Sequence, residues 1–355
     1  MENLTKTTKS GELSETATSL MSILDARSQD IVTRRYGLKT GKVETLDSIG
    51  KEYGITRERV RQIESQAKKL LACRKELLVS VGEMLTDIFQ KNGGVMTEEY
   101  LIAAVNTHSD STTQPTSIVF FLDILPKFEK VTRYGKFGPH WSHPELHNKY
   151  TDSVVEQGEE ILKKSKRPLD ESNLFTDIRT AIKVEATELP DECIRALLEA
   201  SKYLKKTVFG EWGITDWVET SPRGVGDKAF IVLRRSGKPM HFEEITNQIN
   251  EVSFDHKTAH KQTVHNELIK DDRFVLVGRG LYGLSDWGYI PGTVADVMEA
   301  ILTKAGEPMT REDLLKKVLK QRMVKKTTVL LGLQSNKRFE KVTGDMYTLK
   351  DKQLN

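Results

Sequence analysis

From Leu20 to about Leu85 apolar residues return every three or four positions, the period of helices buried along one face. In the stretch after Thr56, Val60, Ile63, Ala67, Leu70 and Leu71 form one apolar stripe. Arg57, Glu58, Arg61 and Gln62 fall on the opposite face, near the start of the same helix. Residues 1–19 are polar, rich in Ser, Thr and Glu, and without periodicity, which predicts a disordered tail.

Beyond Leu85 a pattern recurs, and each recurrence predicts the same small unit. An amphipathic helix ends at a turn. A polar residue follows, then a second helix with acids in its first turn and a variable third helix. The unit closes with a basic-aromatic strand, a Gly-containing turn and a second strand. The openings are Gly93–Glu99, Arg167–Glu171, Gly237–Glu244 and Gly306–Glu312. The closings are Lys127–Val131, Lys202–Lys206, Arg273–Val277 and Arg338–Val342, followed by the aromatics Trp141, Trp212, Tyr282 and Tyr347. Three helices and a β-hairpin make a winged helix, with the aromatics capping a small core. The predicted fold class is therefore mainly α with small β wings. A helix-turn-helix domain at 20–76 precedes tandem winged helices at 77–147, 150–220, 224–289 and 290–351. Turn-prone boundaries fall at Pro144, Ser221–Gly224 and Pro291–Gly292.

The segment Thr45–Ile63 has the layout of a helix-turn-helix. Thr45 is placed to N-cap the first helix, and Gly54 to end it in the left-handed conformation. Gly50 lies where the helices cross closely, Ile55 plugs the corner, and Val60 and Ile63 anchor the second helix in the core. Thr56 N-caps that second helix, and Glu58 suits its positive end. The polar quartet carries chemistry that fits base edges: Arg57 and Arg61 can fork to guanine, Gln62 to adenine, and Glu58 can accept from cytosine. Arg59, Lys68 and Lys69, with Thr56 at the helix start, are expected at phosphates.

Charge strengthens this picture only locally. The whole chain carries a net charge of +3, too little for a general nucleic-acid signature. Between Arg27 and Lys75, however, bases outnumber acids about two to one. With 37% hydrophobic and 30% charged residues the chain reads as globular. No apolar run reaches the roughly 18–20 residues of a membrane span, and no signal peptide is evident, so a bacterial cytoplasmic, nucleoid-associated location is expected, without membrane contact. Cys73 and Cys193 are the only cysteines and are far apart in sequence, which argues against a disulfide framework or a Cys-based zinc site.

Leu24–Leu38 together with Thr45–Glu64 resembles region 4 of sigma-70 family factors, and the run Gly54–Glu64 is nearly a signature of that family. The resemblance covers about residues 20–75. It implies reading of the promoter −35 element by the second helix, with Arg57, Glu58, Arg61 and Gln62 in the base-reading roles, and contact with the β-subunit flap of core RNA polymerase. In sigma factors this domain comes last, after the domain that melts the −10 element. Here a short tail precedes it and a long chain follows, so the expectation is promoter binding apart from melting. The unit from Gly226 to Tyr289 resembles the HARE-HTH winged helix, also found in the delta subunit of some bacterial RNA polymerases. Its carriers are Gly237–Met240, Glu243–Ile245, Asp272–Phe274 and Gly278–Trp287. The other three units look like degenerate relatives of it.

Other signals carry less. Gly278-x-Gly280-x-x-Gly283 fits a dinucleotide fingerprint, but Leu281–Leu284 reads as the return strand of a wing, which leaves Arg279 at the wing tip as a phosphate contact. His140, His143 and His147, and His256, His260 and His265, read as surface histidines. The basic run from Lys316 to Lys326 reads as a solvated helix face, with backbone contact to DNA as the alternative. Trp212, Trp217 and Trp287 read as core caps in wing strands. No nucleophile elbow, P-loop or zinc-protease motif is found, so no enzyme, cofactor or metal is expected. The leading reading is a transcription factor that binds double-stranded DNA and touches RNA polymerase through Arg27–Leu38 or the wings. The alternatives are a delta-like accessory subunit whose winged helices bind protein, and a DNA-modifying or restriction enzyme.

Overall fold

The computed structural model describes residues 10–350 apart from 109–114 and 133, and it is mainly helical with small antiparallel wings. Two compact units, Met1–Asp216 and Trp217–Asn355, divide the chain.

The first unit starts with α1 (Ser10–Met21), α2 (Ala26–Tyr36), α3 (Leu46–Tyr53), α4 (Arg57–Ala72) and α5 (Lys75–Lys91). The helix α1 corrects the expectation of a tail over residues 1–19, of which residues 1–9 lie outside the described residues. Leu13, Ala17, Leu20 and Met21 sit three or four positions apart or adjacent and are all buried. Their burial against neighbouring helices outweighs the poor helix propensity of the surrounding Ser and Thr. Next come β1 (Val95–Met96), α6 (Glu98–His108), α7 (Pro115–Ile124), β2 (Glu129–Val131) and β3 (His140–Ser142). The unit ends with α8 (Thr151–Ser165), α9 (Glu171–Ile182), α10 (Asp191–Ala200), β4 (Leu204–Lys206) and β5 (Trp212–Ile214).

One core runs from Leu13 through Val32, Tyr36, Ala67 and Leu71 to Phe89, Phe120, Phe121 and Trp141, so packing continues across residue 76 without a break. Tyr36 of α2 meets Phe120 of α7 edge-on, with ring centroids 5.3 Å apart, and its hydroxyl donates to Asp123. Burial and the Asp123 carboxylate push the Tyr36 phenol up.

The second unit holds α11 (Val225–Ser236), β6 (Met240–His241), α12 (Phe242–Val252), α13 (Lys261–Lys270), β7 (Phe274–Gly278) and β8 (Leu281–Leu284). It continues with α14 (Val294–Ala305), β9 (Met309–Thr310), α15 (Arg311–Gln321), α16 (Lys326–Ser335), β10 (Phe339–Lys341) and β11 (Met346–Leu349). Each of these two halves has its own core, around Ile245, Leu268 and Tyr282 and around Leu314, Val318 and Tyr347.

Strand register makes the internal repetition explicit. In three sheets the return strand is central, with order β1-β3-β2, β6-β8-β7 and β9-β11-β10. The aromatic of the return strand pairs outward with one apolar residue of the opening: Trp141 with Met96, Tyr282 with Met240, and Tyr347 with Met309. Trp212 of β5 makes the same pairing with Leu169 through an isolated bridge. The two tryptophans also share a polar lid. Each indole N–H donates to a glutamate at 3.3 Å, Glu98 for Trp141 and Glu171 for Trp212. Lys130 and Lys206 pair with those glutamates and lie over the indole faces.

Trp217 and Trp287 depart from the expectation of strand positions. Trp217 lies in a turn after β5, and Trp287 in a 3-10 turn after β8; both are half-buried. The histidine expectation is corrected too. His140 and His143 are buried in the β3 region, where Phe128 and Phe137 stack edge-on against them. Neither ring nitrogen of His143 has a hydrogen-bond partner among the described residues. Those same residues show no group of three or more His, Cys, Asp or Glu placed to hold a metal ion.

Candidate nucleic-acid interface

The corner between α3 and α4 is built by local chemistry. Thr45 Oγ1 accepts from the Ser48 N–H at 3.1 Å and opens α3. Gly54 closes it at φ +64°. Thr56 Oγ1 accepts from the Arg59 N–H at 3.2 Å and opens α4. Between them the Ile55 N–H donates to the Gly50 carbonyl at 2.9 Å. A Cβ on Gly50 would stand 2.8 Å from the Ile55 carbonyl oxygen, so only glycine lets the corner close this tightly. Ile31, Ile49, Val60 and Ile63 form the small core beneath, with Ile55 half-buried against it.

The buried stripe of α4 is Val60, Ile63, Glu64, Ala67 and Leu71. Leu70, expected in that stripe, is exposed; Glu64 takes a buried place instead. Glu64 is matched by Arg35 at 3.7 Å and Lys68 at 3.6 Å. Lys68 also reaches Asp123 of α7 at 2.9 Å. That corrects the expectation of Lys68 at a phosphate: its ammonium neutralises two carboxylates inside the unit.

The polar quartet is exposed at the N-terminal end of α4. Glu58 forks to Arg61 through two bonds of 2.7 and 2.8 Å. The Arg61 guanidinium holds the Glu58 carboxyl below its usual range, and Glu58 raises Arg61 in turn. Arg59 donates to Gln62 Oε1 at 3.1 Å. These pairs present Arg61 and Gln62 in fixed poses on the outer face. Arg57 and Lys69 are exposed beside them. Arg279 is exposed in the Arg279–Gly280 turn of the β7–β8 hairpin. The strand β8 follows that turn directly, so the glycine fingerprint there forms a wing rather than a nucleotide loop.

The segment Arg27–Leu38 is largely committed internally. Arg34 pairs with Glu44 at 2.8 Å and with Glu52, and both acids push it up. Arg35 donates to the Glu44 carbonyl at 3.0 Å. Tyr53 donates to Asp30 at 2.7 Å. Sequence reasoning missed Asp123 and Glu64 as the groups that orient Lys68, because Asp123 lies 55 residues away and no local pattern marks it.

A short helix, a glycine-closed corner and a second helix with an exposed polar N-terminal face define a helix-turn-helix of the DNA-binding class. Comparison with known proteins places it more closely. Residues 20–72 match the family model for sigma-70, region 4, and residues 225–287 match the model for the HARE-HTH domain, described as an ASXL and restriction endonuclease HTH domain. RNA polymerase principal sigma factor HrdD of Streptomyces coelicolor is 48% identical over 54 residues, 15% of this chain and 16% of that protein. RNA polymerase sigma factor SigA1 of Synechococcus elongatus is 42% identical over 59 residues, 17% of this chain and 15% of that protein. RNA polymerase sigma factor SigA of Lactococcus lactis subsp. cremoris is 41% identical over 59 residues, 17% and 16% respectively. The chain thus spans about a sixth of the length of these relatives. No helix among the described residues is long and apolar enough to cross a membrane.

Proposed function

We propose that this protein is a sequence-specific DNA-binding transcription factor whose α4 recognises −35-type promoter DNA. The observation that carries the reading is the exposed Arg57, Glu58, Arg61 and Gln62 face, on a corner closed by Gly50, inside the segment that matches sigma-70 region 4. Arg57, Arg61 and Gln62 reach base edges and Glu58 accepts from cytosine or steers Arg61. Thr56, Arg59 and Lys69 meet phosphates, and Arg279 does so from the wing. Core RNA polymerase joins through its β flap, in the bacterial cytoplasm at the nucleoid. Residues 77–147, 150–220, 224–289 and 290–351 act as four related winged-helix modules after the helix-turn-helix domain at 20–76.

Selection of bound sequences from a random duplex pool tests this. The expected result is a −35-like motif that blurs in Arg57→Ala and Gln62→Ala, by about 1–3 kcal/mol of discrimination per lost bidentate contact. A pool without enrichment, or a motif indifferent to both substitutions, would remove α4 as the reader.

A second reading is a polymerase accessory subunit that uses its winged helices as protein-binding modules. It is favoured by the internal pairing of charges at 225–287. Lys228 meets Asp255 at 2.7 Å, Lys261 meets Glu243 at 2.8 Å, and Arg273 meets Asp271 at 2.6 Å. Co-purification of core polymerase that survives nuclease treatment and the Arg57→Ala substitution supports it.

A further inference from the structure

We infer that the last winged-helix unit carries a second nucleic-acid surface: exposed lysines at the α15–α16 corner that grip the phosphate backbone of duplex DNA without reading bases. From Leu314 to Phe339 the sequence contains no Asp or Glu and eight Lys or Arg. Two of the eight are occupied within the fold. Arg322 is buried and donates to the carbonyls of Ile290 and Gly292, the latter at 2.8 Å. Arg338 holds Asp296 at 2.7 Å and Glu299 at 3.0 Å. Lys316, Lys320, Lys325 and Lys326 are exposed, and none is in an ion pair among the described residues.

Their placement gathers the charge. Lys316 and Lys320 lie one helical turn apart on the outer side of α15. Residues 322–325 turn the corner, and Lys325 and Lys326 open α16. The corresponding opening of α13 behaves differently, since Lys261 there is neutralised by Glu243. Four unneutralised ammonium groups around one corner repel each other in the free protein, and a polyanion relieves that repulsion while releasing its own counterions.

The outer face of α16 decides what is read. Its exposed residues are Lys326, Thr327, Thr328, Leu331, Gln334 and Ser335. No Arg or Asn stands near the N-terminal end to fork onto a base, so the contact is with backbone and not sequence. A helix and its lysines fit the open major groove of B-form DNA, whereas the major groove of duplex RNA is too deep and narrow to admit them.

The test uses the full chain and a 30-base-pair duplex of arbitrary sequence, with affinity followed from 50 to 200 mM salt. Replacing Lys320, Lys325 and Lys326 by Gln removes three phosphate contacts. The slope of log affinity against log salt should fall by about 2.7 in magnitude, and affinity at the low-salt end by tenfold or more. The charge-preserving K320R, K325R, K326R variant should keep both, and matched thermal melts show that each variant folds. Arg57→Ala separates this surface from the proposed α4 reader. A lost site preference belongs to α4, and a lost affinity for arbitrary duplex belongs to the lysines. An unchanged slope in the Gln variant overturns the inference. Tighter, lysine-dependent binding to an RNA hairpin than to the DNA duplex overturns it as well.

Discussion

The chain contains two helix-turn-helix corners that solve one geometric problem in opposite ways. Three residues, Gly54–Thr56, join α3 to α4, whereas four, 322–325, join α15 to α16. The fourth position from the end of the first helix is Gly50 in the one and Val318 in the other. In the shorter corner a side chain at that place would strike backbone; in the longer one Val318 is simply core. The tight corner carries a face of paired polar groups in set poses, Glu58 with Arg61 and Arg59 with Gln62. The loose corner carries unpaired lysines. Base reading needs positions held to fractions of an ångström, and backbone attraction needs only charge, so the tighter geometry belongs with the more exacting task.

The strongest way to break this comparison is Gly50→Ala. Its new methyl must push the Ile55 carbonyl away, and overpacking of this kind costs about 1–3 kcal/mol. Urea unfolding should show that loss, and duplex selection should lose its motif even where the protein remains folded. A neutral result would mean that the corner is slack and that tightness is not what separates it from α15–α16.

Lys68→Ala comes next and sharpens the contrast between lysines. It leaves Asp123 and the buried Glu64 short of a cation, at a cost of about 1–2 kcal/mol. The expected outcome is a lower melting temperature with unchanged site preference and unchanged salt slope. Lys320→Gln should do the reverse, altering the slope and leaving the melt alone. If Lys68→Ala lowers the slope instead, its ammonium leaves Asp123 for phosphate when DNA arrives.

These two residues also mark where sequence reading succeeds and where it stops. Thr45, Gly50, Gly54 and Thr56 were legible because each acts on atoms within five residues of itself: caps, a chain reversal and one close approach. The wings were legible because the openings and closings repeat, and the pairs of Met96 with Trp141 and Met309 with Tyr347 follow from that repetition. Lys68 was not, since its partner Asp123 belongs to another helix. The helix α1 was hidden for the same reason, as its four apolar residues gain a core only from the helices that fold over them. His140 and His143 look like surface residues by type, and only the strand register of β3 turns them inward.

A smaller effect tests whether Arg338 is held by the fold while the nearby lysines are not. Asp296 accepts from the Thr293 backbone and side chain and from Arg338, and these bonds hold its carboxyl down to about 2. Its contribution is present above the ordinary value of 3.8 and disappears as pH falls from there toward about 2. The melting temperature of the wild type should therefore drop more steeply over that window than that of Asp296→Ala, which has already lost the contact at neutral pH. Parallel acid limbs would mean that Arg338 is as free as Lys325.

The finest test is Glu58→Ala, because it touches the poise of α4 without touching its fold. Glu58 is exposed, and its fork to Arg61 joins residues three apart on the outer surface, where ion pairs contribute little to stability. The melt should hardly move. What should move is the DNA motif. With Glu58 in place, the Arg61 guanidinium is drawn along the helix and offers a fixed set of its donors outward; without it, Arg61 samples several rotamers and either groove phosphates or a guanine edge. Duplex selection with Glu58→Ala is expected to relax one position of the motif, accompanied by a small gain in affinity for arbitrary duplex as a negative charge leaves the face. A motif unchanged at every position would assign Glu58 to solubility and helix capping alone, and would leave base reading to Arg57, Arg61 and Gln62.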